Sequence, residues 1–228
     1  MSVAIVSGAY GEKYLRMADV TWPNQRTYAK RIGASFHEIS LRRYPNATPH
    51  WEKLQLRKFL GEFDRVMWLD CDVVIRADCP NLFEMVPKSM LGAWDESKNG
   101  PWNYPSFISR WAALLGITSP PYPGWHANTG VMVLSPEHEF LFGDPPGFPG
   151  YDLLWDQGWI NFGAALKKTS LMDIGSRFNH MFIAPGDRFS SYIMHYCGTV
   201  NGSGYAKEIA PGGDHVSLIR SDLERWKS

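Results

Sequence analysis

Arg65-Val-Met-Trp-Leu-Asp-Cys-Asp-Val-Val-Ile75 is the stretch that decides the fold. An apolar, β-prone run, Val66 to Leu69, delivers two carboxylates, Asp70 and Asp72, and a second apolar run, Val73 to Ile75, follows at once. Strand side chains alternate, so residues two apart point the same way. At the exit of a strand this sets both carboxylates on one side, where they want a cation. Two solvated loop aspartates are the alternative reading, but those normally come with turn residues, and both flanks here have the composition of buried strands.

Upstream, Trp51 to Glu62 reads as a helix with Leu54, Leu56, Phe59 and Leu60 for the core, and with charges at Lys53, Arg57 and Lys58 that are read as mostly solvated. Val3 to Val6 is a short buried strand that empties into Ser7-Gly8-Ala9-Tyr10-Gly11, ahead of a helix starting near Glu12. This β-loop-α opening can hold a nucleotide at the strand's carboxyl end, although it has neither G-x-G-x-x-G nor G-x-x-x-x-G-K-[ST]. Tyr14, on the first turn, is placed to stack on a base. Pro23 is expected to break the helix, with Thr21 capping a second segment that stops at Gly33; Ser35 to Ser40 is the next strand. The β-α-β alternation predicts an α/β fold with a mostly parallel sheet flanked by helices and ligand chemistry at the strands' carboxyl ends.

The totals agree with one domain that binds a small partner. The chain has 228 residues, enough for one sizeable core, and its 23 Lys plus Arg balance 23 Asp plus Glu. With no net charge and no block of like charge, neither a nucleic-acid footprint nor a polybasic membrane anchor is present. Ten Trp exceed what a core needs and suit a cleft that stacks flat rings or sugars, with a place in the core the commoner role for most of them. Cys71, Cys79 and Cys197 are odd in number and lack C-x-x-C spacing, against a disulfide framework or a zinc site. No signal-peptide core or run of about 18 apolar residues occurs, so the expectation is a soluble, cytoplasmic protein without a membrane span.

Downstream, Pro80 and Asn81 start a helical turn (Leu82 to Val86), and Met90 to Trp94 is a strand ending at Asp95, a third carboxylate at a strand end. Ser106 is expected to cap a helix through Leu115. Asn128 opens a strongly apolar strand to Leu134, and Asp156 and Gln157 begin a helix towards Lys168, able either to cap it or to project into a cleft. Leu171 to Ile174 and Arg177 to Phe182 read as short strands. Tyr192 to Gly198 is apolar apart from His195, and a lone histidine there is more often a satisfied core residue. A loop-rich tail, 199–228, completes a single domain whose first half, 1–95, carries the nucleotide end and whose second, 96–198, the sugar and acceptor end.

Taken in order, these features (a basic residue in a helix, an apolar strand ending Asp-x-Asp, Asn-x-Gly before a strand, Asp-Gln-Gly opening a helix, then His-x-x-Gly) resemble the nucleotide-diphosphate-sugar glycosyltransferases of the Rossmann-like GT-A fold. Among these the chain looks most like the retaining family containing glycogenin and the bacterial lipopolysaccharide galactosyltransferases, and the likeness covers roughly the first 200 residues. The resemblance implies a metal-dependent hexosyltransferase that uses a nucleotide-diphosphate sugar, expected to be a UDP-sugar, and a carbohydrate acceptor. It makes Asp70, Asp72 and His195 ligands of Mn2+ or Mg2+, a choice that an oxygen-rich set with one imidazole favours. It further implies that Lys53 accompanies the Asp-x-Asp, that Tyr14 stacks on the base, and that Asn128, Asp156 and Gln157, with Asp95 more distantly, serve the donor sugar. Ser7, the Asp-x-Asp backbone at Cys71, and Gly198 fall in the donor-binding segments; the Cys71 thiol itself should face away and not ligate.

For the reaction, a double displacement needs a carboxylate on the sugar's far face, and only Asp156 and Gln157 are candidates. Gln157 is a poor nucleophile, so same-face attack by the acceptor hydroxyl, with Lys53 assisting the leaving diphosphate, is the preferred mechanism. The tail departs from the family in lacking its Lys-Pro-Trp, and Lys207 is at best a displaced substitute. Two other classes compete. A haloacid-dehalogenase-type phosphatase places its Asp-x-Asp after the first strand and before Gly-Thr, whereas Val73-Val74 follows here. A non-catalytic nucleotide-sugar or glycan-binding module has no need of an intact acidic pair with His195.

Overall fold

The computed structural model describes residues 1–148, 156–197 and 214–227. Six strands form the central sheet: β1 (Val3–Gly8), β2 (Ser35–Ile39), β3 (Arg65–Asp70), β5 (Leu91–Asp95), β6 (Ala127–Leu134) and β7 (Leu171–Asp173). Their order is β2-β1-β3-β6-β5-β7, and β4 (Val73–Ile75) pairs separately with β8 (Ile193–His195). The pairs β1 with β2, β1 with β3 and β5 with β7 are parallel, whereas β6 runs antiparallel to both its neighbours. The four inner strands, β1, β3, β6 and β5, are buried on both faces, as their near-continuous apolar runs require, whereas the edge strands β2 and β7 are partly exposed. Val6, Val66, Trp68, Met132 and Leu134 join Trp51, Trp111 and Phe162 on one side. Ile5, Met67, Leu69, Val131 and Val133 meet Tyr28, Leu82 and Phe178 on the other.

The antiparallel β6 decides where the site lies. Because Leu69 pairs with Val131, the entry of β6 stands beside the exit of β3, and Asp95 at the exit of β5 pairs with Ala127 on the far side. Asp70, Asn128 to Gly130, and Asp95-Glu96 therefore meet at one edge.

Helix α1 (Glu12–Arg31) runs unbroken through Pro23, against expectation. Pro23 and Asp19 lie on the exposed face, so the carbonyl that loses its N–H partner is open to water, while Thr21, Gln25 and Tyr28 on the opposite face are buried. The helix expected over Trp51 to Glu62 is instead a 3-10 turn, Pro49–Gln55, followed by α2 (Leu56–Glu62). Trp51, Glu52, Lys53 and Leu54 are all buried, and four consecutive buried residues cannot lie on one face of an α-helix. α3 (Leu82–Met85) is as expected; α4 (Tyr104–Leu114) starts two residues before Ser106, and α5 spans Asp156–Leu166. Arg177 to Phe182 is not a strand: Ser176–Phe178 is a 3-10 turn, and only His180 bridges to Met194. The tail read as loop-rich ends in α6 (His215–Lys227), whose Leu218 and Ile219 pack with Met17 of α1 and Met194 and Tyr196. Tyr196 and Arg188 both bond Asp222 of that helix, the hydroxyl at 2.9 Å and the guanidinium at 3.0 and 3.1 Å. Among the described residues all three cysteines are free, and no helix is long and apolar enough to cross a membrane.

Candidate active site

A cleft of about 660 Å3 opens at the edge where β3, β5 and β6 meet, and Asp70, Asp72, Lys53, Asn128, Gln157 and His195 all line it. Backbone pairing alone brings in the most distant of them in sequence. Val73, one residue past Asp72, pairs with His195, and the amide of Tyr196 donates to the Asp72 carbonyl at 2.9 Å. The turn between Asp70 and Val73 is held from α1: Gln25 donates to the carbonyls of Asp70 (3.0 Å) and Val73 (2.9 Å), and Thr21 to that of Cys71 (2.6 Å).

His195 Nε2 lies 3.6 Å from Asp70 Oδ2 and 3.4 Å from Asp72 Oδ1, and one ligand atom from each residue falls within 4.8 Å of the others. Its second nitrogen, Nδ1, is 2.8 Å from Asn179 Oδ1. That oxygen belongs to an assigned amide: Asn179 Nδ2 donates to Asn128 Oδ1 at 2.7 Å, and Asn128 Nδ2 donates to Glu96. Asn179 therefore presents an acceptor to the Nδ1–H, and Nε2 is the nitrogen turned towards the two carboxylates. Metal-ligating histidines are usually fixed in this way from their second nitrogen, so His195 could serve as one. Burial by itself would depress the imidazole, but Asp72, then Asp70, outweigh it and hold its pKa above the usual value. Burial, the largest single effect, pushes Asp72 up, but His195, a backbone hydrogen bond and Lys53 together pull its carboxyl below the usual value. Two carboxylate oxygens and one imidazole suit a hard, oxygen-preferring divalent ion such as Mn2+ or Mg2+, with positions left for a ligand's oxygens.

Lys53, expected to be solvated on its own helix pattern, is buried. Its Nζ sits 3.2 Å from Asp70 Oδ1 and 3.1 Å from Asp156 Oδ2, and donates to the Thr129 carbonyl and hydroxyl at 3.0 Å each. Burial lowers its pKa, but Asp156 and Asp70 more than offset that, so the ammonium persists. The Trp68 indole N–H donates to Asp70 Oδ1 at 2.5 Å, which fixes the first carboxylate from the strand side.

Gln157 accepts from the Thr129 amide (3.1 Å) and donates to Glu96 Oε1 (2.7 Å), while Asn128 donates to Glu96 Oε2 (2.8 Å). Tyr14 lines the cleft near Asp72. Cys71 packs with Ala9 and Ala18, and burial pushes its thiol well up, so no thiolate competes for a metal. Two residues of the expected set are turned elsewhere. The Ser7 hydroxyl accepts from the Trp22 indole at 2.9 Å and lies outside the cleft lining. Asp95 Oδ1 caps the turn that follows it, accepting from Ser97 N (3.2 Å), Ser97 Oγ (2.6 Å) and His126 N (3.0 Å). Gly198 and Lys207 lie outside the described residues.

Sequence reasoning missed Asn179, Glu96, Thr129 and Trp68. Trp68 was recoverable, since it stands two residues before Asp70 on the same face of one strand. Asn179 and Glu96 carry no such signal, one lying in an irregular segment and the other depending on a break in the sheet.

No protein-family model and no curated protein sequence matches the chain. Solved structures do. A glycosyltransferase involved in glycosylation of the major capsid of PBCV-1 has a TM-score of 0.62 at 14% identity, covering 97% of this chain and 100% of its own. The galactosyltransferase LgtC, in complex with donor and acceptor sugar analogues, gives 0.54 at 17%, covering 86% and 87%. Mouse xyloside xylosyltransferase 1 gives 0.52 at 14%, covering 89% and 99%. The chain has the α/β fold of the GT-A glycosyltransferases.

Proposed function

We propose that the chain is a glycosyltransferase that moves a hexose from a nucleotide-diphosphate sugar, a UDP-sugar by preference, to a hydroxyl of a carbohydrate acceptor, with retention of configuration. The observation that carries this reading is the placement of His195: Nδ1 bonds Asn179 Oδ1, which turns Nε2 to face Asp70 and Asp72, where it would serve as a third ligand. Asp70, Asp72 and His195 would hold a divalent cation, Mn2+ or Mg2+, which when bound supplies a Lewis acid for a departing diphosphate.

The residues around that set have separable tasks. Lys53 keeps a buried positive charge beside Asp70, and Asp156 and Thr129 hold its ammonium in place. Such pre-oriented charge stabilises a leaving oxyanion without reorganisation during the reaction. Asp156 is committed to Lys53 and accepts from the Thr129 hydroxyl at 3.3 Å, which makes it a holder of Lys53 rather than a free nucleophile. Gln157 is a poor nucleophile, its amide oxygen being weakly basic, and both ends of its amide are bonded. Same-face transfer follows: the acceptor oxygen bonds to the anomeric carbon as the carbon–phosphate-oxygen bond breaks, and the acceptor's proton passes to the leaving phosphate. Tyr14 at the α1 end of the cleft suits the base, and Asn128 and Gln157 the sugar end.

The test is hydrolysis of a panel of nucleotide sugars without acceptor, with Mn2+ and with a chelator. Slow, Mn2+-dependent loss of one donor, abolished in Asp70→Asn, supports the reading. Donor binding without turnover would point to a binding module, and phosphate release from a simple phosphoester to a phosphatase.

A further inference from the structure

We infer that Glu96, and not Asp95, is the carboxylate serving the donor sugar: it sets the Gln157 and Asn128 amides and accepts hydrogen bonds from hydroxyls of the hexose. This rests on the glycosyltransferase reading above and adds a residue to it.

The reason lies in a break in the sheet. Ala93 pairs with Met132 and Asp95 with Ala127, so the ladder between β5 and β6 slips at Trp94. Such irregularities re-aim side chains at sheet ends, often beside sites. Here Asp95 is turned into the turn that it caps, with three hydrogen bonds on Oδ1, and Glu96 takes the place in the cleft lining. Glu96 is 3% exposed, and each of its oxygens accepts one amide N–H: Oε1 from Gln157 at 2.7 Å and Oε2 from Asn128 at 2.8 Å.

Counting acceptor capacity singles Glu96 out. Asn128 Oδ1 already accepts from Gly130 N (2.9 Å) and Asn179 Nδ2 (2.7 Å), and Gln157 Oε1 accepts from Thr129 N (3.1 Å) with the Thr129 hydroxyl at 3.5 Å. A carboxylate has about four lone-pair sites, and the two amides use two of them. The spare acceptors of this trio belong to Glu96, so the ligand group that it recognises is a hydrogen-bond donor, as a sugar hydroxyl is. Burial pushes the Glu96 carboxyl up and Asp95 adds to this, while the two amides and His195 pull it down, leaving it at about 7. Tyr104 and Cys197 also face it, and burial keeps both protonated. The ionised form is the one that accepts from both amides at once.

Glu96→Gln tests this, because it keeps the size but points an NH2 at one of the two amide NH2 groups. Turnover of the preferred donor should fall at least about tenfold, while Mn2+-dependent UDP binding, measured by calorimetry, stays within about twofold. Wild type should discriminate against one deoxyhexose donor by about tenfold or more, and Glu96→Gln should erase that preference. The turnover of wild type should rise with pH through about 7, a limb that Glu96→Gln lacks. Wild-type turnover and deoxy-donor discrimination in Glu96→Gln would overturn the assignment, as would their loss in Asp95→Asn alone. If wild type binds no UDP with Mn2+, the glycosyltransferase reading fails and the assignment falls with it.

Discussion

Gly130 offers a way to move His195 without altering any ligand. A Cβ added at Gly130 would stand 2.2 Å from His195 Cε1 and 2.6 Å from Nδ1, where ordinary contact begins at 3.4 Å. The imidazole must retreat by more than 1 Å or turn, since the backbone around it is fixed by the pairing of Val73 with His195. Metal ligands tolerate about 0.2 Å of error, and loss of the support that orients a ligating histidine costs about 10–100-fold in affinity. Gly130→Ala should therefore weaken Mn2+ binding by about 1.4–2.8 kcal/mol, and overpacking should lower stability by about 1–3 kcal/mol. Calorimetric titration of Mn2+ in the presence of UDP reads the first, and denaturant unfolding the second. Gly92→Ala is the control, because its Cβ would meet Val86 at 2.6 Å in the core, remote from His195. It should lose stability and keep Mn2+ affinity. A folded Gly130→Ala with wild-type Mn2+ affinity would refute the argument that the His195 ring position governs the site.

Three further outcomes follow from the same contacts. Lys53→Ala leaves Asp156 and Asp70 without their shared cation, and with Lys53 and Asp156 both buried the loss of stability should be about 3–5 kcal/mol by urea unfolding; a loss under about 1 kcal/mol would contradict a paired buried lysine. Glu96 titrates at about 7 in the fold against 4.5 ordinarily, so between these values the unfolded chain has released a proton that the folded chain keeps. Its contribution makes stability fall as pH rises across that window, by roughly 3 kcal/mol at most, and the pH-dependence of wild type minus Glu96→Gln should show that slope; a flat difference would refute it. Asp222→Ala removes the acceptor shared by Tyr196 and Arg188, so amide hydrogen exchange in α6 should accelerate well before that in β3, and uniform exchange would show that α6 is held by its apolar face alone.

Much of the site was legible because its first members sit at strand ends, where side-chain alternation and burial leave a readable trace. Asp70 and Asp72 follow from an apolar run that stops at a carboxylate, and the alternation of strand and helix placed them at the correct edge. His195 looked like a core residue by pattern; the order of motifs and then the pairing with Val73 brought it to Asp72. Less legible features depend on contacts that have no period. Lys53 is buried because a 3-10 turn, and not an α-helix, carries it inward. Glu96 replaces Asp95 because the β5–β6 ladder slips, and Asn179 acts from a segment without regular structure. Pro23 misled for a related reason: its cost falls on a carbonyl at the exposed face, which no sequence pattern reports.

Asp70, Asp72 and His195 are proposed to form one cation site completed by a nucleotide diphosphate. Calorimetric titration of UDP into the protein, with Mn2+ and with a chelator, tests it most directly when repeated on Asp72→Ala and His195→Ala. Binding should require Mn2+ and be lost in both variants. Binding of equal strength with the chelator, or undiminished in both variants, would contradict it.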